Sequence, residues 1–143
     1  MAVTSKVYGS AQRSLGNKEV DLDSDNLMVM LCAAAYTPNQ VGHRYKSDVS
    51  SEVSGTGYTA GGQALTGVTV SYASNVLTLD CADPVWSGST ITARYAVFYD
   101  ATPATDATRP LLCYWDLGSD QSSTAGPFTL TIAATGLITF TAA

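Results

Sequence analysis

His43 is the one histidine of the chain, and it lies in a polar stretch with Arg44 and Tyr45 directly after it. A serine-histidine-aspartate triad or a histidine zinc site would have to be built on it. The sequence has no GxSxG turn to hold a nucleophile and no HExxH helix to hold a metal. His43 therefore reads as a surface histidine that touches a partner. Asp21, Asp23 and Asp25 alternate as the first three ligands of a calcium loop do, but the sixth and twelfth positions of that loop are Asn26 and Cys32 instead of Gly and Glu. The cluster reads as a solvated turn ahead of a strand, and no metal is expected. Asp80, Asp83, Asp100, Asp116 and Asp120 offer carboxylates for a paired-carboxylate glycosidase site, but any sandwich carries such residues at its strand ends and none is expected to be catalytic. Cys32, Cys81 and Cys113 are odd in number and widely spaced, which fits neither a disulfide framework nor a zinc knuckle. They are expected to be reduced, partly buried thiols, with one bridge open to them after release into an oxidising medium. No catalytic residue and no cofactor is expected.

The aromatic residues divide by their surroundings. Tyr95, Tyr99 and Trp115 sit in apolar runs and are expected in the core. Tyr36, Tyr45 and Tyr58 sit in loops, where a ring with a polar tip suits a protein interface.

The elements that must position these residues are mostly strands. Val7–Leu15 reads as an outer strand in preference to a short helix, although Val7, Ala11 and Leu15 also share a helical spacing. The apolar run Asn26–Ala35 reads as a buried strand. From Tyr36 to Ala64 the chain is polar and rich in Gly, Ser and Asn, a long loop that implies function. One helical turn is expected at Asp48–Val53, capped by Ser47. Val68–Tyr72 and Val76–Leu79 form a hairpin. After Asp83-Pro84 and a turn at Ser87-Gly88-Ser89 comes a long strand, Thr90–Tyr99, with Ile91, Ala93, Tyr95, Val97 and Tyr99 on one face. Leu111–Asp116, a Gly-Ser-Asp loop, Phe128–Ile132 and Leu137–Phe140 complete the series, the last two joined through Thr135-Gly136. Six to eight short strands with turn signals between them predict one all-β domain over residues 1–143, an antiparallel β-sandwich of immunoglobulin-like or jelly-roll-like type.

Composition excludes several classes. Only 13% of the 143 residues are charged, while 18 Thr, 15 Ser, 19 Ala and 12 Gly supply a sheet-and-turn surface. Seven Lys and Arg against twelve Asp and Glu give a net charge of −5, which disfavours a nucleic-acid partner. No apolar run approaches the roughly 20 residues of a membrane span, and Met1–Tyr8 lacks the apolar stretch of a secretion signal. The product is expected to stay in the cytoplasm where it is made.

The long loop carries a resemblance. Ala35-Tyr36-Thr37-Pro38-Asn39-Gln40, then His43-Arg44-Tyr45-Lys46-Ser47-Asp48-Val49, then Glu52-Val53-Ser54-Gly55-Thr56-Gly57-Tyr58-Thr59-Ala60-Gly61-Gly62, resemble a family of small virion structural proteins of tailed bacteriophages. The likeness continues through Trp86, Ser89–Ala96, Asp116-Leu117-Gly118 and Gly126-Pro127-Phe128-Thr129. It implies a structural role in the particle, decorating or cementing the outer capsid shell, with the major capsid protein or another virion protein as partner. The alternatives are a fibre or surface adhesin that binds host glycan, and a neck or tail assembly protein. Tyr36, His43, Arg44, Tyr45, Gly55, Gly57, Tyr58 and Gly61 are the expected partner-binding residues. Ser54–Gly61 is expected to be dispensable for folding, and low charge suggests self-association, with a trimer as the expected form.

Overall fold

The computed structural model describes residues 3–142. Its strands are β1 (Thr4–Val7), β2 (Leu27–Cys32), β3 (Gln63–Ala64), β4 (Thr69–Ala73), β5 (Val76–Asp80), β6 (Val85–Asp100), β7 (Leu111–Thr129) and β8 (Ile138–Thr141), with one helix, α1 (Gly9–Gly16). They form a five-stranded antiparallel sheet, β1-β7-β6-β2-β3, and a three-stranded one, β4-β5-β8. Leu79 and Ile138 of the small sheet share one buried cluster with Val29, Leu31, Phe98 and Leu112 of the large sheet. The fold is the expected all-β sandwich.

Both faces of the large sheet are buried. The face away from the small sheet carries Tyr8, Met30, Tyr36, Val97, Tyr99, Leu111 and Tyr114. No second sheet covers it. Residues 33–50 and the 3-10 turn at Lys46–Asp48 do so instead, and a tyrosine suits such a face because its ring packs while its hydroxyl finds a loop partner.

Four local expectations differ from the structure. Val7–Leu15 is not a strand: β1 ends at Val7 and α1 begins at Gly9, burying Ala11 and Ser14. The helical spacing wins because Tyr8 N donates to Leu112 O at 3.0 Å and leaves the sheet there. Along β6 the pairing register slips between Ala93 and Tyr95. Ile91 and Ala93 therefore share a face with Ala96 and Phe98, and Tyr95, Val97 and Tyr99 turn to the other, as a β-bulge does when it inserts one residue. The expected turn at Ser87–Ser89 is another such irregularity inside β6, and the Gly-Ser-Asp stretch lies within β7, in the register shift between Asp116, opposite Tyr95, and Gln121, opposite Ala93.

The β4–β5 hairpin forms as read, around Ser74 and Asn75 with φ of 50° and 65°. That is the two-residue turn whose twist matches the flanking strands.

Candidate functional site

The Tyr36–Gly62 segment is bound to its own sheet far more than its composition suggests. Along the outer edge of β2, Leu65 N donates to Leu27 O at 2.8 Å, Val53 N to Leu31 O at 3.0 Å, and Ala33 N to Ser51 O at 2.8 Å. Between them, Leu31 N donates to the Tyr58 hydroxyl at 3.0 Å. β3 reaches only as far as Met28 and Val29, so the phenol of Tyr58 takes the place of a strand carbonyl. The hydroxyl in turn donates to Glu52 Oε1 at 2.7 Å, which also accepts from Gly61 N at 2.6 Å. The Tyr58 ring stacks on Trp86 at 6.0 Å, and burial raises its pKa. An unpaired strand edge invites aggregation, and this loop closes one.

The glycines belong to the same arrangement. Gly55 lies against the Thr90 carbonyl, where a Cβ would collide, and a Cβ at Gly57 would come 2.8 Å from Ser89 Cα. Gly61 O accepts the Tyr99 hydroxyl at 2.6 Å. A side chain added at Gly55, Gly57 or Gly61 would thus point at β6, and the Tyr58 ring is half-buried, while residues 54–57 remain exposed; removal of Ser54–Gly61 would strip Leu31 of its partner. Tyr58→Phe should cost about 1–3 kcal/mol by leaving the Leu31 N–H without an acceptor. Urea unfolding measures this, and a loss below about 0.5 kcal/mol would show that water replaces the phenol freely.

Tyr36 is not an exposed ring either. It is 1% exposed, and its hydroxyl joins Tyr8 at 2.8 Å to His43 Nδ1 at 2.9 Å. Asn39 N also donates to His43 Nδ1, at 3.3 Å. With two donors on it, Nδ1 is the unprotonated nitrogen and Nε2 carries the hydrogen. The imidazole therefore accepts from a phenol and a main-chain amide, which is structural and not a nucleophile's geometry. Burial pushes the Tyr36 phenol up to about 12.

Arg44 Nη2 donates to Glu19 Oε1 at 2.6 Å, and its guanidinium lies 4.7 Å from the Tyr45 ring centre. Asp48 Oδ2 accepts from Arg44 N at 2.8 Å and Tyr45 N at 3.0 Å, and these main-chain bonds hold its carboxyl below the ordinary range. The helical turn expected at Asp48–Val53 thus lies at Lys46–Asp48, with Asp48 as its anchor in place of Ser47. Val41, 89% exposed, stands at the tip of this turn, with His43, Arg44 and Tyr45 half-buried behind it. The outward parts of the loop include residues 39–42, 54–57 and 59–60.

The remaining reactive groups are also committed. All three cysteines are free and buried. Burial pushes the Cys32 thiol up to about 12 and the Cys81 thiol to about 11, and it raises Cys113 further, so none is a ready thiolate nucleophile. Asp21 Oδ1 accepts from Asp23 N and Ser24 N, and Asp25 Oδ2 from Asp21 N. These carboxylates fold a turn on themselves. Among the described residues no group of three His, Cys, Asp or Glu converges on one point.

Two concavities were not legible in the sequence. One, of about 500 Å³, opens beside β1 over Val3, Trp115, Leu117, Phe128 and Leu130 and has no charged lining residue. Trp115 Nε1, buried nearby, has no hydrogen-bond partner. The other, of about 560 Å³, is lined by Glu52, Ser54, Thr90, Thr92, Ser122 and Ser123 among others. Pairing between distant strands builds both, and no local signal marks them. Comparison with known protein families, with curated proteins and with solved structures finds no match to this chain.

Proposed function

We propose that this chain is a structural protein of a tailed-phage particle that decorates the outer capsid shell through protein–protein contacts, the major capsid protein being its main partner. The observation that supports this best is the disposition of its reactive groups. The imidazole, the thiols and most carboxylates hold loops and turns together, and what faces outward is a sparsely charged, net acidic surface rich in Thr, Ser, Gly and Ala with an uncharged groove. Such a surface has little side-chain entropy to lose and few ions to desolvate on docking. The resemblance of the Tyr36–Gly62 string to small virion proteins supplies the setting, and residues 39–42 and 54–57 are exposed parts of that string free to meet the shell. Made in the host cytoplasm, the protein joins the particle as it assembles.

Purified particles test this reading. Hundreds of copies per particle, retained through a wash at about 1 M salt, are expected, because a neutral contact is not screened at the short Debye length of that medium. Val41→Glu should lower occupancy while leaving the unfolding transition unchanged. A few copies at one vertex would assign the protein to the neck or a fibre, and loss in the wash would show that electrostatics hold it.

A further inference from the structure

The small sheet ends in a strand that nothing covers. Among the described residues no strand pairs with β4 on the side away from β5. Across the Ser74-Asn75 turn, Ala73 faces Val76, and in a two-residue hairpin that flanking pair is the closely hydrogen-bonded one. Alternation then turns the N–H and C=O groups of Ser71 toward Thr78, and those of Val70 and Tyr72 outward. Proteins protect such edges with charge, proline or a bulge. Thr69-Val70-Ser71-Tyr72-Ala73 has none of these, whereas β1 carries Lys6 and the outer edge of β2 is closed by the loop. Tyr72 is 68% exposed on this strand. Its cross-strand neighbour is Leu77, which pairs in turn with Phe140, so the ring extends an apolar row to the open edge.

We propose that β4 pairs antiparallel with β4 of a second copy, across a twofold axis at Ser71, joining two three-stranded sheets into one. The strand is complementary to itself in that register. Val70 of each copy stands opposite Tyr72 of the other, as a pair that exchanges both outward main-chain bonds. A β-branched residue facing an aromatic one is a stabilising cross-strand pair. Ser71 faces Ser71, and Thr69 faces Ala73. Electrostatics select the same place: two copies each of net charge −5 repel, and the small sheet holds Asp80 as its one charged residue, on β5. An edge of five residues covers less than the roughly 800 Å² per partner of a standard interface. The pairing is therefore a concentration-dependent equilibrium in solution, favoured further where copies are held side by side.

Sedimentation velocity and amide exchange from about 10 µM to about 1 mM test this pairing. In the unmodified chain the average mass should rise toward that of a dimer, and the Val70 and Tyr72 amides should gain protection with concentration while the Ser71 amide does not change. Ser71→Glu sets two carboxylates on the axis from a solvent-exposed position and should leave a monomer with an unaltered circular dichroism spectrum, whereas Ser71→Thr should still dimerise. A chain that stays monomeric at the highest concentration, a Ser71→Glu variant that still dimerises, or a mass that levels at a trimer would each overturn the pairing. None of these readouts involves particles, so the virion reading is tested separately.

Discussion

Gly62→Ala is expected to destabilise the protein by about 3–5 kcal/mol, against about 1–2 kcal/mol for Gly88→Ala. Both glycines have a positive φ, 84° and 61°, so an added side chain meets a similar backbone penalty at each. The surroundings differ. A Cβ at Gly88 has nothing within 4 Å, whereas one at Gly62 runs into the Val29 carbonyl and comes within 2.8 Å of Met30 Cα. Those atoms are main chain of β2, which pairs with β6 over its whole length, and they have no rotamer by which to move aside. The strap must lift instead, taking with it the Gly61 bonds to Tyr99 and Glu52. Urea denaturation of the two variants side by side measures the difference. Equal losses would mean that residues 51–62 shift without cost and that they do not close the β2 edge.

Asp100→Asn is expected to stabilise the protein by about 1–3 kcal/mol at pH 7.5, with the gain falling to a few tenths near pH 3.5. Asp100 is fully buried. Its Oδ1 accepts from Thr102 N at 2.9 Å, while Oδ2 has no donor. Desolvation, followed by the facing Asp25 carboxyl, pushes its pKa from 3.8 up to about 6. Protonated, the Asp100 carboxyl no longer repels Asp25 and can donate toward it. Folding therefore takes up a proton between those two values. The group's stabilising contribution is complete below the lower value and is lost as pH rises through the upper. Asparagine keeps the Thr102 bond and offers its NH₂ to Asp25 at every pH. Asp116 behaves in the opposite sense. Held low by Arg94 at 2.7 Å, it stabilises the fold above the ordinary carboxylate range and loses that effect as pH falls. The informative quantity is accordingly the difference between variant and parent across pH. A constant difference would show that the Asp100 carboxyl has the same pKa folded and unfolded, and that burial does not raise it.

Strands whose neighbours lie close in sequence were readable without a structure. The β4–β5 hairpin follows from two alternating runs around Ser74-Asn75, and the buried β2 from an unbroken apolar run between turns. The all-β class follows from the same turn signals together with the scarcity of charge. Reading failed where a distant partner overrides local preference. The Gly-Ser-Asp stretch of β7 is turn-like by composition, yet instead of ending the strand it forms an irregularity inside it, between Asp116 and Gln121, which pair with β6. The bulge at Ala93–Tyr95 cannot be seen in an alternation that continues past it.

The candidate site divides along the same line. Residue types and the resemblance brought Tyr36, His43, Arg44, Tyr45, Gly55, Gly57, Tyr58 and Gly61 forward as one polar, glycine-rich loop expected to bind a partner. Which way each residue faces was decided only by tertiary contacts. Gly62 and Tyr58 meet β2, and Tyr36 meets Tyr8, across separations in the chain that no local pattern spans. A glycine that lets a loop reach a partner and one that lets it lie on its own sheet obey the same φ preference. The sequence carries that preference, while the neighbouring backbone supplies the surface that distinguishes the two.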